Sequence, residues 1–398
     1  MPPPPSLPDG IVEDIFLRLP PDEPACLVRA SLASKLWLGH LTGPRFRGRY
    51  RELHGAPPML GFLYDWFWDY VPEEKDAVPR FVSTTGFGAR VPPDHHWGDS
   101  GSDYNALDCR HGRVLLGDYG APIPLVVWDP MTGRQTKMEA PKGQDIGSGA
   151  AVLCAVTGCD HRACHQGAFR VVVFGSMTTH VYHPVTIIQV CVSSPETGEW
   201  SQPCPGLDLG VDAFIMPVPP VVIRDAVYLM HARGEHDHIA GILKYDLGSN
   251  CLSLIDMPLP GAVNVGDVIL MAMEDGSLGL AHASGSTLYL WSSSSQMGVA
   301  TWTQRRAIDL KSLLPIQNPM EGLRLIGSME GSDIIFVLTD LGIYQINLNS
   351  LQWNKIWKRQ KFFALIPYMS FHNPQGQEAT IINRKDDYLE WRRHGSCD

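Results

Sequence analysis

Three stretches of this 398-residue chain carry residue types and spacings that could do chemistry. The tetrad GDSG at 98–101 has the letters of a serine-protease nucleophile loop. Its flanks, HHWGDSGSDYN, read as a polar loop, and no His or Asp context for a triad is recognisable. Triads are defined by geometry and supporting residues, so a loop is the favoured reading. The densest thiol and imidazole cluster is CAVTGCDHRACHQ, which contains Cys154, Cys159, His161, Cys164 and His165. Zinc takes about four such ligands in a tetrahedron. The C-x-H-x-x-C-H spacing is not that of a standard finger, but Cys159, His161, Cys164 and His165 are candidates for a loop-stapling site. Against this stand loop cysteines and histidines that point apart in space, which is the favoured reading. Neither version implies an open catalytic centre. GFGAR at 86–90 lacks the third glycine and the following helix of a dinucleotide site, so it reads as a turn. Among the tryptophans, Trp66, Trp68 and Trp97 lie in loop-like sequence and are the expected exposed ones. Trp128, Trp200, Trp291, Trp302, Trp353 and Trp357 read as packing residues.

The elements that would position such residues are bounded by composition. Apolar residues make up 44% and charged residues 19%, as in a globular protein with a real core. No apolar run approaches the length needed to span a bilayer, so no membrane contact is expected. The opening MPPPPS has neither a basic nor an apolar signal region. Nine cysteines in no framework spacing favour reduced thiols, hence cytoplasm and/or nucleus. The formal charge of −10 is unevenly placed: residues 1–56 are nearly neutral, and the remainder carries the acidic excess. An acidic domain is a poor nucleic-acid binder, so no nucleic-acid partner is expected. The basic string Arg45, Arg47, Arg49 and Arg51 is read as a solvated helix end or linker.

Residues 1–5 form a stiff, proline-rich, disordered lead. In SLPDGIVEDIFLRLPP, Ser6 can cap a helix, Pro8 suits its first turn, and Asp9, Glu13 and Asp14 suit its dipole. Ile11, Val12, Ile15, Phe16 and Leu19 give one broad apolar face, and Pro20-Pro21 stops the helix. Asp22 can cap a second helix carrying Leu27, Val28, Ser31 and Leu32. Ser34 can start a third with Leu36, Trp37 and Leu41, closed by Gly43-Pro44. Three short helices bury too little to be stable alone, and their apolar surplus points to a partner. The order and spacing of Leu7-Pro8, Ile11-Val12, Ile15, Arg18-Leu19-Pro20, Leu27 and Lys35…Trp37 resemble the F-box. The longer string through FRGRYRELHGAPPMLGF is similar to the large F-box group of grasses. The chain departs from that group at Ala33, where cysteine is common, and near Leu36, Gly39 and His40, where basic residues are common.

From about residue 57 the period becomes alternating. Strand pairs are expected at 113–118 and 124–129, 170–175 and 186–193, 226–232 and 241–246, 277–283 and 287–292, and 333–339 and 342–348. Each pair is followed by a polar turn, starting at Asp129, Ser194, Asp246, Ser292 and Asn347, and often by a third short strand. Asp129-Pro130-x-Thr132-Gly133 and Pro195-x-Thr197-Gly198 supply turn chemistry rather than catalysis. Unequal repeats near fifty residues read as propeller blades with variable loops. Strands at 57–65, 79–84 and 362–371 could add one or two units by joining the chain ends. Phrases such as LDCRHGRVLL and IPYMSFHNP are similar to the propeller-type domain of grass F-box proteins.

The expected fold is therefore α+β multidomain: a small three-helix F-box at 6–50, an all-β propeller-like domain of about six to seven blades at 57–374, and a mobile tail at 375–398. The resemblance implies the substrate-recognition subunit of a Skp–cullin–F-box ubiquitin ligase. Leu7, Pro8, Ile11, Val12, Ile15, Leu19, Leu27 and Trp37 would contact the SKP-type adaptor and through it a cullin. The propeller would hold an unidentified target protein, with no cofactor and no catalytic residue. A scaffold acting outside any ligase, and a metal-binding propeller enzyme built on the Cys159/His161 cluster, are the alternatives.

Overall fold

The computed structural model describes residues 8–66, 81–85, 104–118, 124–141, 149–156, 159, 167–179, 185–234, 238–259, 261–296, 299–318, 322–360 and 362–371. The chain divides into two compact units: residues 1–60, 83–88 and 369–398 form one, and residues 61–82 and 89–368 the other.

The first unit is helical. It comprises α1 (Asp9–Leu17), α2 (Pro24–Ala33), α3 (Lys35–Thr42) and α4 (Pro44–His54). The expected three helices are therefore four, and the helical segment runs on to His54 rather than stopping at 50. Gly43 does end α3, but Pro44 then opens α4 at the position where a missing N–H costs nothing. The residue capping α2 is Glu23, one residue after the expected Asp22, because Pro24 occupies the first helical position. Pro8 caps α1, while Ser6 lies outside the described residues.

The second unit is almost entirely β and forms a six-bladed propeller. Its sheets follow one another along the chain. The first full sheet is β3 (Asn105–Arg110), β4 (Arg113–Gly117), β5 (Leu125–Trp128) and β6 (Gln135–Met138). The next comprises β7 (Ala150–Cys154), β8 (Phe169–Thr179), β9 (Val185–Val192) and β10 (Leu207–Val211). A third contains β11 (Ala213–Ile215), β12 (Val221–Ile223), β13 (Ala226–Arg233), β14 (His238–Asp246) and β15 (Cys251–Ile255). The fourth is β16 (Val268–Ala272), β17 (Leu278–Ser284), β18 (Thr287–Gln296) and β19 (Val299–Asp309), followed by a single helical turn, α5 (Leu310–Leu313). The fifth is β20 (Arg324–Met329), β21 (Ile334–Leu338), β22 (Ile343–Asn347) and β23 (Trp353–Trp357). The sixth joins the chain ends: β1 (Met59–Trp66) lies between β2 (Val82–Ser83) and β24 (Phe362–Met369).

The central strands read as continuous apolar runs because both faces are covered. Along β8, Val171 and Val173 pack toward the preceding sheet, and Val172 and Phe174 toward the next. The closing sheet is held from both sides. Phe62 of β1 meets Trp357 of β23 edge-on, and the Leu365 carbonyl passes so close to Gly327 of β20 that no Cβ would fit there. On the other flank the Tyr368 hydroxyl stands 3.5 Å from the Gly112 carbonyl oxygen, in the β3–β4 turn.

The expected turn chemistry is present at four of the five repeats. Asp129 Oδ1 accepts from the Met131 and Thr132 amides, and Ser194 Oγ from those of Glu196 and Thr197. Asp246 Oδ1 accepts from Ser249, and Asn347 Oδ1 from Asn349 and Ser350. Four residues after each of these capping positions the backbone turns left-handed, at Gly133 (φ 72°), Gly198 (φ 74°), Asn250 (φ 54°) and Leu351 (φ 58°). Ser292 is the exception. It lies inside β18, which pairs with β19 from Thr287↔Asp309 out to Gln296↔Val299. The serine run that suggested a turn is one arm of a long hairpin, held at its far end by the Ser294–Thr301 contacts.

Candidate functional site

The helical unit is built around a small core of Val12, Phe16, Leu17, Leu27, Leu41, Phe46, Tyr50 and Phe371. Trp37 packs edge-on against Phe16, with ring centroids 5.3 Å apart. The carbonyls at and just beyond the end of α1 have no partner within the helix, and α4 supplies one for each of two. Tyr50 donates its hydroxyl to the Leu19 carbonyl at 2.7 Å, and His54 Nε2 lies 2.8 Å from the Leu17 carbonyl. Burial pushes the Tyr50 phenol upward, which keeps it a neutral donor. Arg49 pairs with Glu13 at 2.7 Å and reaches Asp14 at 3.6 Å. The basic string, which alternates along the sequence, is thus divided by the helical period. Arg45 is exposed, whereas Arg47, Arg49 and Arg51 are half-buried. Its third member, Arg49, fastens α4 to α1 through Glu13, a partly exposed pair worth up to about 1 kcal/mol.

The broad apolar face expected of α1 is two stripes. Val12 and Phe16, four apart, are 7% and 5% exposed and enter the core. Ile11 and Ile15, also four apart, are 49% and 48% exposed and form an uncovered ridge. Leu32, Leu36 and Leu53 are further large apolar side chains standing in solvent on α2, α3 and α4. Five such residues in a segment this short is a high load, since even a half-exposed aliphatic side chain forgoes on the order of 1 kcal/mol of burial.

The sequence-derived contact residues therefore separate. Ile11 and Ile15 are presented to solvent, and Pro8 is exposed at the start of α1. Val12 and Leu27 are buried inside the unit, and Leu19 and Trp37 are half-buried against its core. Leu7 lies outside the described residues. Leu53 was missed by sequence reasoning, because the basic string was not read as a helix of its own. The apolar residue at the end of a charged, Pro-initiated helix was the signal available.

The other candidates fall largely outside what the structure describes: His161, Cys164 and His165, GDSG at 98–101, GFGAR at 86–90, Trp68 and Trp97. Cys154 and Cys159 are half-buried, and among the described residues no group of three or more metal-type ligands converges. Trp200 and Trp302 have clear structural roles. Trp200 Nε1 donates to the Glu139 carbonyl and Trp302 Nε1 to that of Asp256, each stapling a sheet to the end of the preceding one.

No known family profile matches this sequence, and no curated protein matches it. Among solved structures it is similar to an oligogalacturonate lyase in complex with manganese, at 11% identity over 70% of this chain and 68% of that one, with a TM-score of 0.36. A second likeness is the WD40 domain of SCAP from fission yeast, at 13% identity over 66% of this chain and 55% of that one, with a TM-score of 0.32. A third is the oligogalacturonate lyase of Vibrio parahaemolyticus, at 9% identity over 76% and 80%, with a TM-score of 0.35. Likenesses this distant carry no argument about activity. The propeller assignment rests on the six sheets and their closure.

Proposed function

We propose that this chain is a non-catalytic receptor of a Skp–cullin–F-box ubiquitin ligase, with the helical unit docking a SKP-type adaptor and the propeller holding a target protein. The observation that carries the reading is the division of α1 into a buried Val12/Phe16 stripe and an uncovered Ile11/Ile15 ridge. A helix that needed only to cap its neighbours would have polar residues at 11 and 15. Two isoleucines one turn apart suit a groove on an apolar partner helix. The resemblance of LPDGIVEDIFLRLP to the F-box supports the identity of that partner. A propeller suits the receptor role, because its short turns and variable loops gather binding residues on a rigid frame. On this reading the chain contributes proximity, raising the effective concentration of ligase near the target's lysines, and needs no nucleophile or base of its own.

The test is co-expression with a SKP-type adaptor and a cullin, followed by affinity capture on this chain. A stoichiometric complex is expected. Absence of both partners from a folded preparation would remove the proposal.

A further inference from the structure

Inside the propeller lies a buried ionic cluster that the receptor reading does not use. Asp108 and Arg110 are two apart on β3, so their side chains leave the strand on one face, and they are 1% and 6% exposed. Arg110 Nε donates to Asp108 Oδ2 at 3.1 Å, and the same oxygen accepts the Val152 amide of β7 at 2.9 Å. Arg110 Nη2 donates to the Pro220 carbonyl, just ahead of β12, and Nη1 pairs with the carboxylate of Glu330, in the turn after β20. Two side chains of one strand thus tie together four of the six sheets.

The position of the Glu330 contact gives the cluster its meaning. The closing sheet of β1, β2 and β24 is built from both ends of the propeller chain. Its neighbours are the sheet of β20–β23, through Phe62–Trp357 and Gly327–Leu365, and the sheet of β3–β6, through Tyr368–Gly112. Arg110 and Glu330 belong to those two neighbours. Their ion pair joins the first and last full sheets directly, bypassing the chain ends.

We infer that the ring has a second closure, an axial latch centred on Arg110, so that the end-strand sheet can open and re-form while the other five sheets stay in place. Drawing Glu330 away from Arg110 strips a buried guanidinium of one of its carboxylates, so the two neighbouring sheets resist separation even when β1 and β24 part. A propeller closed by its end strands alone lacks this: parting them would let the first and last sheets move apart together. The inference stands independently of the adaptor proposal.

Native-state hydrogen exchange on the full chain tests it, with wild type, Glu330→Gln, Arg110→Lys and, as a control for general destabilisation, Val172→Ala. In wild type, the β1 and β24 amides should exchange at least about tenfold faster than those of β4 and β21, as separately opening units do. Glu330→Gln and Arg110→Lys should shrink that ratio below about threefold, because opening the end strands would then release their neighbours. Val172→Ala should speed exchange without closing the gap. If Arg110→Lys fails to fold, Glu330→Gln decides, since that side chain is 41% exposed and tolerates the change. Wild-type amides of β1, β24, β4 and β21 exchanging together, or a ratio unchanged in Glu330→Gln, would overturn the latch.

Discussion

Helix α1 and strand β4 are both rich in aliphatic residues, yet they spend them differently. Every residue of β4, from Arg113 to Gly117, is buried, with neighbouring sheets covering both faces. In α1, Val12 and Phe16 are buried while Ile11 and Ile15 face water. The strand has found all the partners its composition asks for, and the helix has found half. A second contrast follows from the first. At Asp108 and Arg110, where the propeller buries an ion pair, each charge meets a counter-ion or a backbone dipole. The helical unit leaves apolar surface unmatched instead. Unmatched apolar surface invites association, whereas matched buried charge fixes a particular arrangement.

The largest expected effect tests the charged side of this contrast. Arg110→Met should cost about 3–5 kcal/mol in denaturant unfolding, because it strands the Asp108 carboxylate away from water. Adding Asp108→Leu should recover much of that loss, and a double mutant no better than Arg110→Met would break the comparison. On the helical side, Phe16→Ala should remove about 3–5 kcal/mol from the helical unit, followed by exchange of the α1 amides. Ile15→Ala should stay within about 0.5–1 kcal/mol of wild type, because its side chain already stands in water. Equal losses from the two would mean that Ile15 is not free.

Asp108 supplies a smaller, pH-dependent effect. Its carboxyl faces Arg110, Glu330 and the Val152 and Cys109 amides. Burial outweighs the favourable contacts and lifts it from 3.8 to about 6. A raised folded value means that the contribution is fully present below pH 3.8 and is lost as pH rises through about 6. Between pH 7 and pH 5, wild type should therefore gain stability relative to Asp108→Asn, read as a shift in urea midpoint. A relative loss on acidification would show that the Arg110 pairing outweighs burial. The smallest effect is local: Gly198→Ala should cost about 1 kcal/mol, since the left-handed backbone at φ 74° has open space around it and only the conformation is penalised.

Much of the propeller was legible in the sequence. The second and third strand of each full sheet is a compact apolar run bounded by turn residues, and Asp129, Ser194, Asp246 and Asn347 mark the following turns through their own side-chain hydrogen bonds. The strands that open the full sheets, β3, β7, β11 with β12, β16 and β20, were not read. They are short, and β3 carries Asp108 and Arg110, whose burial depends on partners up to 220 residues away in sequence. Ser292 misled because a polar run on a projecting hairpin looks like a turn. In the helical unit, periodicity showed that α1 was apolar but not that its two stripes have different fates. That depends on where α4 packs, and α4 was hidden in a basic string whose spacing suits solvent as well as a helix. The docking assignment itself came from resemblance, with Pro8, Ile11 and Ile15 the members of the expected set that are exposed among the described residues.

The most direct test is the affinity of a SKP-type adaptor for the full chain and for Ile11→Ala/Ile15→Ala, measured by titration calorimetry with unfolding curves alongside. The account predicts an unchanged fold and a loss of about 2–4 kcal/mol in binding, roughly 30- to 1,000-fold, as for two central anchors. Wild-type affinity in the double variant, or no adaptor binding by the folded wild-type chain, would contradict it.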